Sequence, residues 1–174
     1  GYDLENMGHN STQSLHAYIN AAKLAYADRF EYIADPEHAD VPWKGLISES
    51  YAMRRKQEIG QQAPEKYKPG NPWKEEGRKP RSILTGSSPS PDTGTTHLAV
   101  IDKDGNAVSI TNTIMSGFGS GIIPKNSGVI MNNGMMWYDP VPGRVNSISS
   151  GKYPLNNMSP ALVIGNEGVE IAVG

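Results

Sequence analysis

Charge is distributed unevenly along the 174-residue chain, and the change falls at Gly94. Residues 1–94 hold 12 basic and 13 acidic side chains, whereas residues 95–174 hold only 4 and 5. Charged segments are typical of helices with a solvated face, while segments nearly free of charge are typical of strands packed in a sheet. The sequence therefore predicts an α+β fold in which helices come first and buried antiparallel strands follow.

Two helices are predicted in the charged part. Ser11 is a suitable N-cap for the first, and Pro36 lies beyond its end. Apolar residues recur between them at three- and four-residue spacing, which indicates an amphipathic helix: Leu15, Tyr18, Ile19, Ala22, Tyr26, Phe30 and Ile33. A second helix is predicted from about Ser48 to Ile59, with Arg54, Arg55 and Lys56 on a solvated face.

Residues 60–94 contain 6 prolines and many Gly, Ser and Lys residues, which excludes one regular element. A long, exposed and mobile connection is predicted there. The pattern beyond it predicts a hairpin of Thr96–Ile101 and Ala107–Thr113 around the Asp104-Gly105 turn. A strand over Gly128–Asn132 and a second hairpin, formed by residues 161–164 and 169–173, complete the prediction.

Composition excludes several classes of function. A formal net charge of −2 gives no electrostatic basis for binding nucleic acid or an anionic membrane. The absence of Cys excludes disulfide scaffolds, thiolate zinc sites and a cysteine nucleophile. Apolar runs are only a few residues long, so no membrane span is predicted. Gly1–Asp3 shows no signal-peptide features, and we expect the chain to be part of a longer precursor.

General catalytic motifs do not match this sequence. The four His residues have no metal-ligand spacing on a shared element, so neither a zinc site nor another cofactor is predicted. A nucleophile-elbow serine and a phosphate-binding loop are both missing from the sequence. The glycine-rich run Gly117–Gly121 does not fit the dinucleotide fingerprint and is interpreted as a turn where backbone approaches a neighbour closely.

One junction attracts attention, because the proline-rich segment ends at Gly94 and a strand begins at Thr95. A threonine that begins a strand is structurally ordinary. If the bond between Gly94 and Thr95 is cut, however, Thr95 gains a free α-amine with a pKa of about 7.7–8.0. That amine is a base poised near neutrality beside the hydroxyl of the same residue.

The residues around this junction carry a family resemblance. The run Thr95–Val108 resembles the start of the small subunit of γ-glutamyltranspeptidases, a self-cleaving family of N-terminal-nucleophile hydrolases. The likeness continues downstream through Phe118–Ile122, Ser127–Asn133 and Pro154–Pro160, and upstream through Gly1–Asp3, Ala25–Arg29 and Val41–Trp43.

The resemblance implies a four-layer αββα fold and two subunits cut from one precursor. Residues 1–94 would end the large subunit, and residues 95–174 would begin the small subunit. Thr95 would attack the Gly94 carbonyl to release its own amine and would then attack the acyl donor, with Thr113 holding it in place. The implied partners are a γ-glutamyl or similar small-molecule donor and water or an amine as acceptor.

Departures from the family pattern concern the donor pocket. Where typical members have Asn, Gln and Asp around the donor's α-amino and α-carboxyl groups, this sequence has Met115, Gly134 and Trp137. The family's Ser-Ser pair becomes Asn156-Asn157, which can still donate to a carboxylate. A charged ammonium without a partner is costly to bury. Three interpretations follow: γ-glutamyl transfer, glutaryl hydrolysis as in cephalosporin acylases, or an inactive ligand-binding relative.

By the same resemblance, the family's oxyanion hole would follow Gly174, and its carboxylate-binding Arg would precede Gly1. Removal of one oxyanion donor costs about 2.7–4 kcal/mol of transition-state stabilisation, so we expect little activity from residues 1–174 alone. Bacterial members of the family are commonly exported, and a periplasmic or extracellular location is the corresponding expectation.

Overall fold

A computed structural model describes residues 2–81, 86 and 94–174. Helices precede antiparallel strands, which confirms the predicted α+β class. The chain forms two compact units, the first comprising Gly1–Pro89 and Asp139–Tyr153 and the second Ser90–Tyr138 and Pro154–Gly174. None of the helices in the described ranges combines the length and apolar character that a bilayer crossing requires.

The first helix, α1, covers Thr12–Tyr32, and Ser11 caps it by accepting the Ser14 N–H at 3.1 Å. The predicted helix and cap are confirmed. Its buried residues are Ala17, Asn20, Leu24 and Asp28. The predicted apolar stripe lies largely on the other side, with Tyr18 69% exposed. Polar Asn20 and Asp28 lie on the buried side instead, where hydrogen bonds satisfy them.

Two shorter helices follow: α2 covers Trp43–Leu46, and α3 covers Glu49–Lys56 with Ser48 as its N-cap. The predicted second helix is confirmed, although it is shorter than expected. Its basic cluster does not lie wholly on a solvated face, because Arg55 is only 6% exposed. The Arg55 Nε atom lies 3.4 Å from Asp28 Oδ2, and its Nη1 bonds both carboxylate oxygens of Glu58.

Asp28 is the centre of a buried polar cluster. Its Oδ2 accepts the Tyr51 hydroxyl at 2.9 Å, and its Oδ1 accepts the Gly70 N–H at 2.7 Å. Burial, followed by the hydrogen bond to Asp28, raises the pKa of Tyr51, so the phenol remains a neutral donor. Asp28 therefore fastens α1 to α3 and to the proline-rich segment.

The proline-rich segment is irregular, as predicted, apart from a 3-10 turn at Pro72–Lys74. Residues 60–81 are attached to helices by specific hydrogen bonds, and the expectation of a mobile connection stays a prediction. The carbonyls of Gly60 and Pro64 bond His16 and Lys23, respectively, both at 2.9 Å. Residues 82–85 and 87–93, to which the expectation also applied, lie outside the described residues.

Residues 139–153 complete the first unit around a small core of Ala34, Ala39 and Val145. The buried carboxylate of Asp35 accepts the Tyr153 N–H at 2.9 Å and the Glu37 N–H at 3.0 Å. These two bonds are the main causes that lower the pKa of Asp35. Asp35 thus joins two segments that are far apart in sequence.

The second unit contains two antiparallel hairpins. Strand β1, Thr95–Ile101, pairs with β2, Ala107–Thr113, and strand β3, Ala161–Gly165, pairs with β4, Gly168–Val173. Both predicted hairpins are confirmed. Most strand residues are exposed in the described structure, contrary to the expected burial in a packed sheet.

The predicted strand over Gly128–Asn132 is wrong, because this segment is irregular. This segment instead approaches the backbone of Gly119 closely. Gly119 has φ +53°, and a Cβ atom there would lie 2.3 Å from the Met131 carbonyl oxygen. Gly119 therefore allows the close backbone approach that the sequence indicated for Gly117–Gly121.

The turn of the first hairpin is fixed by Asp102. Its carboxylate accepts the backbone N–H groups of Asp104 and Asn106 at 2.8 and 2.9 Å. The Asn106 side chain also donates to it, and this bond is the largest cause that lowers the pKa of Asp102. Because the turn fixes the register, Asp102 indirectly determines which residues face each other at the open end of the hairpin.

We predict that Asp28→Asn lowers the free energy of unfolding by about 3 kcal/mol, because loss of one member of a buried ion pair leaves its partner uncompensated. The expected value lies near the lower end for such pairs because Arg55 retains Glu58. Urea unfolding measures the change. Asp104→Asn is the matched control, since its pair with Lys103 is exposed and is worth at most about 1 kcal/mol. Equal effects would contradict the role given to Asp28.

Candidate active site

The first pair of residues in the hairpin is Thr95 opposite Thr113. Their Oγ1 atoms lie 3.1 Å apart, with the Thr95 hydroxyl donating to that of Thr113. Thr95 is exposed, whereas Thr113 is half-buried. The structure thus brings together the two residues that the resemblance marks as nucleophile and support, while their chemical roles remain predictions.

The Thr113 hydroxyl has three described contacts. It accepts the Met115 N–H at 2.9 Å, accepts the Thr95 hydroxyl, and donates to the Gly94 carbonyl oxygen at 3.4 Å. A hydroxyl has one hydrogen and two lone pairs, so these contacts use its full capacity. Since both lone pairs are occupied, its hydrogen is directed at the carbonyl of the bond between Gly94 and Thr95.

Gly94 adopts a backbone conformation that favours glycine, with φ +130°. A Cβ atom at this position would lie 3.1 Å from the Met115 carbonyl oxygen and 3.2 Å from that of Ser116. Met115 itself has φ +77°, and its side chain is fully buried. Two unusual backbone conformations therefore meet beside the threonine pair.

Asn133 is a structural residue of the site to which the sequence reasoning gave no role. Its Oδ1 accepts the Ser116 N–H at 3.0 Å, and its Nδ2 donates to Ser116 Oγ at 2.6 Å. Its own N–H bonds the Ile114 carbonyl oxygen at 3.2 Å. The only available signal was its place in the family-like run Ser127–Asn133, because spacing along the sequence does not show that it reaches Ser116.

Gly134 and Trp137, both predicted to bind the donor, lie in a 3-10 turn that spans Gly134–Trp137. A Cβ atom on Gly134 would lie 2.9 Å from the Trp137 ring and also 2.9 Å from Asn132 Oδ1. The indole therefore packs against Gly134, and a larger residue at position 134 would displace the indole. The turn follows Asn133 directly, which connects it to the backbone beside Thr113.

Asn156 and Asn157 lie in the irregular segment before β3, and both are exposed. Asn156 Oδ1 accepts the Met158 N–H at 3.2 Å, which forms a local turn. The role of Asn156 and Asn157 in donor binding stays a prediction.

His97 and Thr111 form the next pair on the same side of the hairpin as Thr95 and Thr113, because alternate residues share a face. His97 Nδ1 lies 3.1 Å from Thr111 Oγ1. A Cβ atom on Gly174 would lie 2.5 Å from the imidazole, so β4 ends directly against this ring. Ser109 Oγ also bonds the Val173 carbonyl oxygen at 2.7 Å, which joins the two hairpins.

Helices followed by antiparallel hairpins, with a threonine pair at a Gly-Thr junction, are features that the resemblance to N-terminal-nucleophile hydrolases implies. Comparison with known families makes the assignment specific. The profile of the Gamma-glutamyltranspeptidase family matches residues 1–174, which is the whole chain. The chain therefore belongs to the γ-glutamyltranspeptidase family.

Two relatives carry the names of two different activities. The glutathione hydrolase proenzyme of Bacillus subtilis strain 168 is 39% identical over 153 residues, which cover 87% of this chain and 26% of the relative. The acylase ACY 1 proenzyme of Pseudomonas sp. strain SE83 is 34% identical over 174 residues, covering 100% of this chain and 28% of the relative. The chain thus spans little more than a quarter of their length.

A solved structure shares the fold. The crystal structure of cephalosporin acylase from Bacillus halodurans superposes with a TM-score of 0.72 at 29% identity, covering 94% of this chain and 26% of that chain. Similarity therefore extends over both the helical and the strand-rich parts.

We predict that Thr113→Val lowers the free energy of unfolding by about 1–2 kcal/mol, because the part-buried Met115 N–H loses its acceptor. Thr113→Ser keeps the hydroxyl and should retain most of the stability. Denaturant unfolding followed by circular dichroism provides the measurement. Thr96→Val is the control, since Thr96 faces the opposite side of β1; an equal loss there would mean that the hydroxyl of Thr113 has no special structural role.

Proposed function

We propose that this protein is an autoprocessed γ-glutamyltransferase and hydrolase, in which Thr95 is the nucleophile for its own cleavage and for turnover. The observation that carries the proposal is the Thr95 hydroxyl, 3.1 Å from that of Thr113, at a junction where Thr113 also contacts the Gly94 carbonyl oxygen. Membership of a family whose relatives are named proenzymes supports it.

The first reaction breaks the bond between Gly94 and Thr95. Thr95 Oγ1 attacks the Gly94 carbonyl carbon, and Thr113 donates a hydrogen bond to the oxygen on which negative charge develops. Collapse of the tetrahedral intermediate breaks the C–N bond, the nitrogen takes up the proton lost by the hydroxyl, and an ester remains. Water hydrolyses this ester, which leaves a carboxylate on Gly94 and a free α-amine on Thr95.

The second reaction uses the group that the first one released. With a pKa of about 7.7–8.0, the free amine of Thr95 can accept the hydroxyl proton as Oγ1 attacks the donor amide. The proton then passes to the leaving amine, and an acyl-enzyme forms. Water or an acceptor amine resolves this intermediate and regenerates the threonine.

The leading donor class is γ-glutamyl amides such as glutathione, in line with the name of the Bacillus subtilis relative. A second candidate is a glutaryl amide, in line with the named acylases. One observation favours this second candidate: Met115, Gly134 and Trp137 supply no carboxylate to pair with a donor α-ammonium. Asn156 and Asn157 are proposed to donate to the donor carboxylate, a group that both classes contain.

The proposal includes the architecture of the whole protein. Residues 1–94 would belong to a large subunit and residues 95–174 to a small one, and together with the remaining chain they would form a four-layer αββα sandwich. A periplasmic or extracellular location is also proposed. An inactive, ligand-binding relative is the outcome to be distinguished by experiment.

We predict that the full-length protein, incubated at neutral pH, is cut between Gly94 and Thr95, whereas Thr95→Ala stays intact because it lacks the nucleophile. Intact mass and N-terminal sequencing provide the readout, and the new N-terminus should read Thr95-Thr96-His97. The control is Thr96→Ala, which should be cut like the wild type. A folded wild-type chain that remains uncut would favour the inactive relative.

We predict that the mature protein hydrolyses a γ-glutamyl anilide faster than a glutaryl anilide under the same conditions. Values of kcat/KM for the two compounds provide a direct comparison, because they differ in the α-ammonium alone. A strong preference for the glutaryl compound would replace the leading donor class with the second one. The Trp137→Asp variant tests the cause: a carboxylate at this position should shift the preference toward the γ-glutamyl compound.

A further inference from the structure

The backbone at Met115 is unusual for a residue with a buried side chain. Its φ is +77°, in the left-handed region that residues other than Gly, Asn and Asp rarely occupy, and its side chain is 0% exposed. Such a conformation costs about 1–3 kcal/mol and persists only where the surroundings determine it. The contacts on either side of Met115 show what this conformation achieves.

On one side, Met115 directs two backbone groups at the Gly94 junction. Its N–H donates to Thr113 Oγ1 at 2.9 Å. A Cβ atom on residue 94 would lie 3.1 Å from the Met115 carbonyl oxygen and 3.2 Å from the Ser116 carbonyl oxygen. Only a residue without a Cβ atom fits there undistorted, which matches the glycine at that position.

On the other side, Asn133 holds the turn in place. The Asn133 carboxamide forms hydrogen bonds with both the N–H and the hydroxyl of Ser116, and the Asn133 N–H donates to the Ile114 carbonyl oxygen. The residues immediately before and after Met115 are therefore both fixed by Asn133. This arrangement provides the surroundings that the left-handed conformation requires.

We propose that the turn Ile114–Ser116, locked by Asn133, positions the Gly94–Thr95 bond for cleavage, and that Met115 acts through its backbone as a positioning residue. This inference rests on the proposed function, in which Thr95 attacks that bond. The turn does two things at once: it orients the Thr113 hydroxyl through the Met115 N–H, and it seats Gly94 so that its carbonyl oxygen meets that hydroxyl.

The two effects act at different stages of the proposed reactions. Gly94 is joined to Thr95 only before cleavage, so its fit against Met115 and Ser116 matters for processing alone. The hydrogen bond from the Met115 N–H to Thr113 is independent of the cut bond and serves both processing and turnover. Variants of Gly94 and Asn133 should therefore behave differently.

Gly94→Ala tests the fit in the full-length protein. Pulse-labelled precursor from cell-free translation is followed until the fragment that begins at Thr95 appears. We expect cleavage to slow about tenfold, equivalent to about 1.4 kcal/mol, since alanine must adopt an unfavourable φ and displace two carbonyls. The readout is the rate of processing, because residue 94 is no longer joined to Thr95 once the bond is cut.

Gly117→Ala is the matched control, because a Cβ atom at Gly117 meets nothing within 4 Å. Its cleavage should stay within about twofold of the wild type, a difference well below 1 kcal/mol. Cleavage of Gly94→Ala at the wild-type rate would overturn the inference while leaving Thr95 as nucleophile. A wild-type precursor that is never cut would instead refute the proposed function, and the inference with it.

Asn133→Leu tests the lock by a separate route. We expect slower cleavage and, in the mature enzyme, a lower kcat, because the Thr113 hydroxyl loses its orientation. Asn133→Asp keeps an acceptor for the Ser116 N–H and should be closer to the wild type. A raised KM with unchanged cleavage would show that Asn133 supports donor binding alone, and it would overturn the positioning role.

Discussion

The hydroxyl of Thr113 is the contact on which the arrangement of the candidate site depends. It binds the nucleophile candidate, the carbonyl of the preceding residue and the Met115 N–H, and these three bonds use its whole capacity. A slip of one residue in the hairpin would carry Thr113 to the opposite face. The register, fixed at the other end by the Asp102 turn, is therefore a requirement of the chemistry as well as of the fold.

Local signals in the sequence were sufficient for elements whose cause is local. Ser11 and Ser48 cap helices because their hydroxyls accept a nearby N–H, and the Asp104-Gly105 turn sets a hairpin through its own backbone preferences. Burial was predicted less well, because it depends on partners far along the chain. Arg55 is buried because it meets Asp28, a pairing that helical spacing cannot show.

The candidate site follows the same rule. Residues related by local structure could be predicted, whereas residues joined by contacts far along the chain could not. Thr95 and Thr113 could be selected because a hairpin places them opposite each other and the family resemblance gave them roles. Asn133 was missed because its hydrogen bonds to Ser116 join an irregular segment to the end of a strand. No periodicity in the sequence indicates that the Asn133 side chain reaches Ser116. The left-handed backbone of Met115 has no sequence signal either.

The order of the two proposed reactions follows from the groups present at the junction. Before cleavage, the described partner of the Thr95 hydroxyl is another neutral hydroxyl, which is a poor base. An attack on a separate substrate would be slow under these conditions. An attack on the adjacent carbonyl gains the large advantage of an intramolecular reaction, which can contribute about 7–11 kcal/mol when the geometry is favourable. Positioning of Gly94 therefore substitutes for a base in the first reaction, and its product supplies the base for the second.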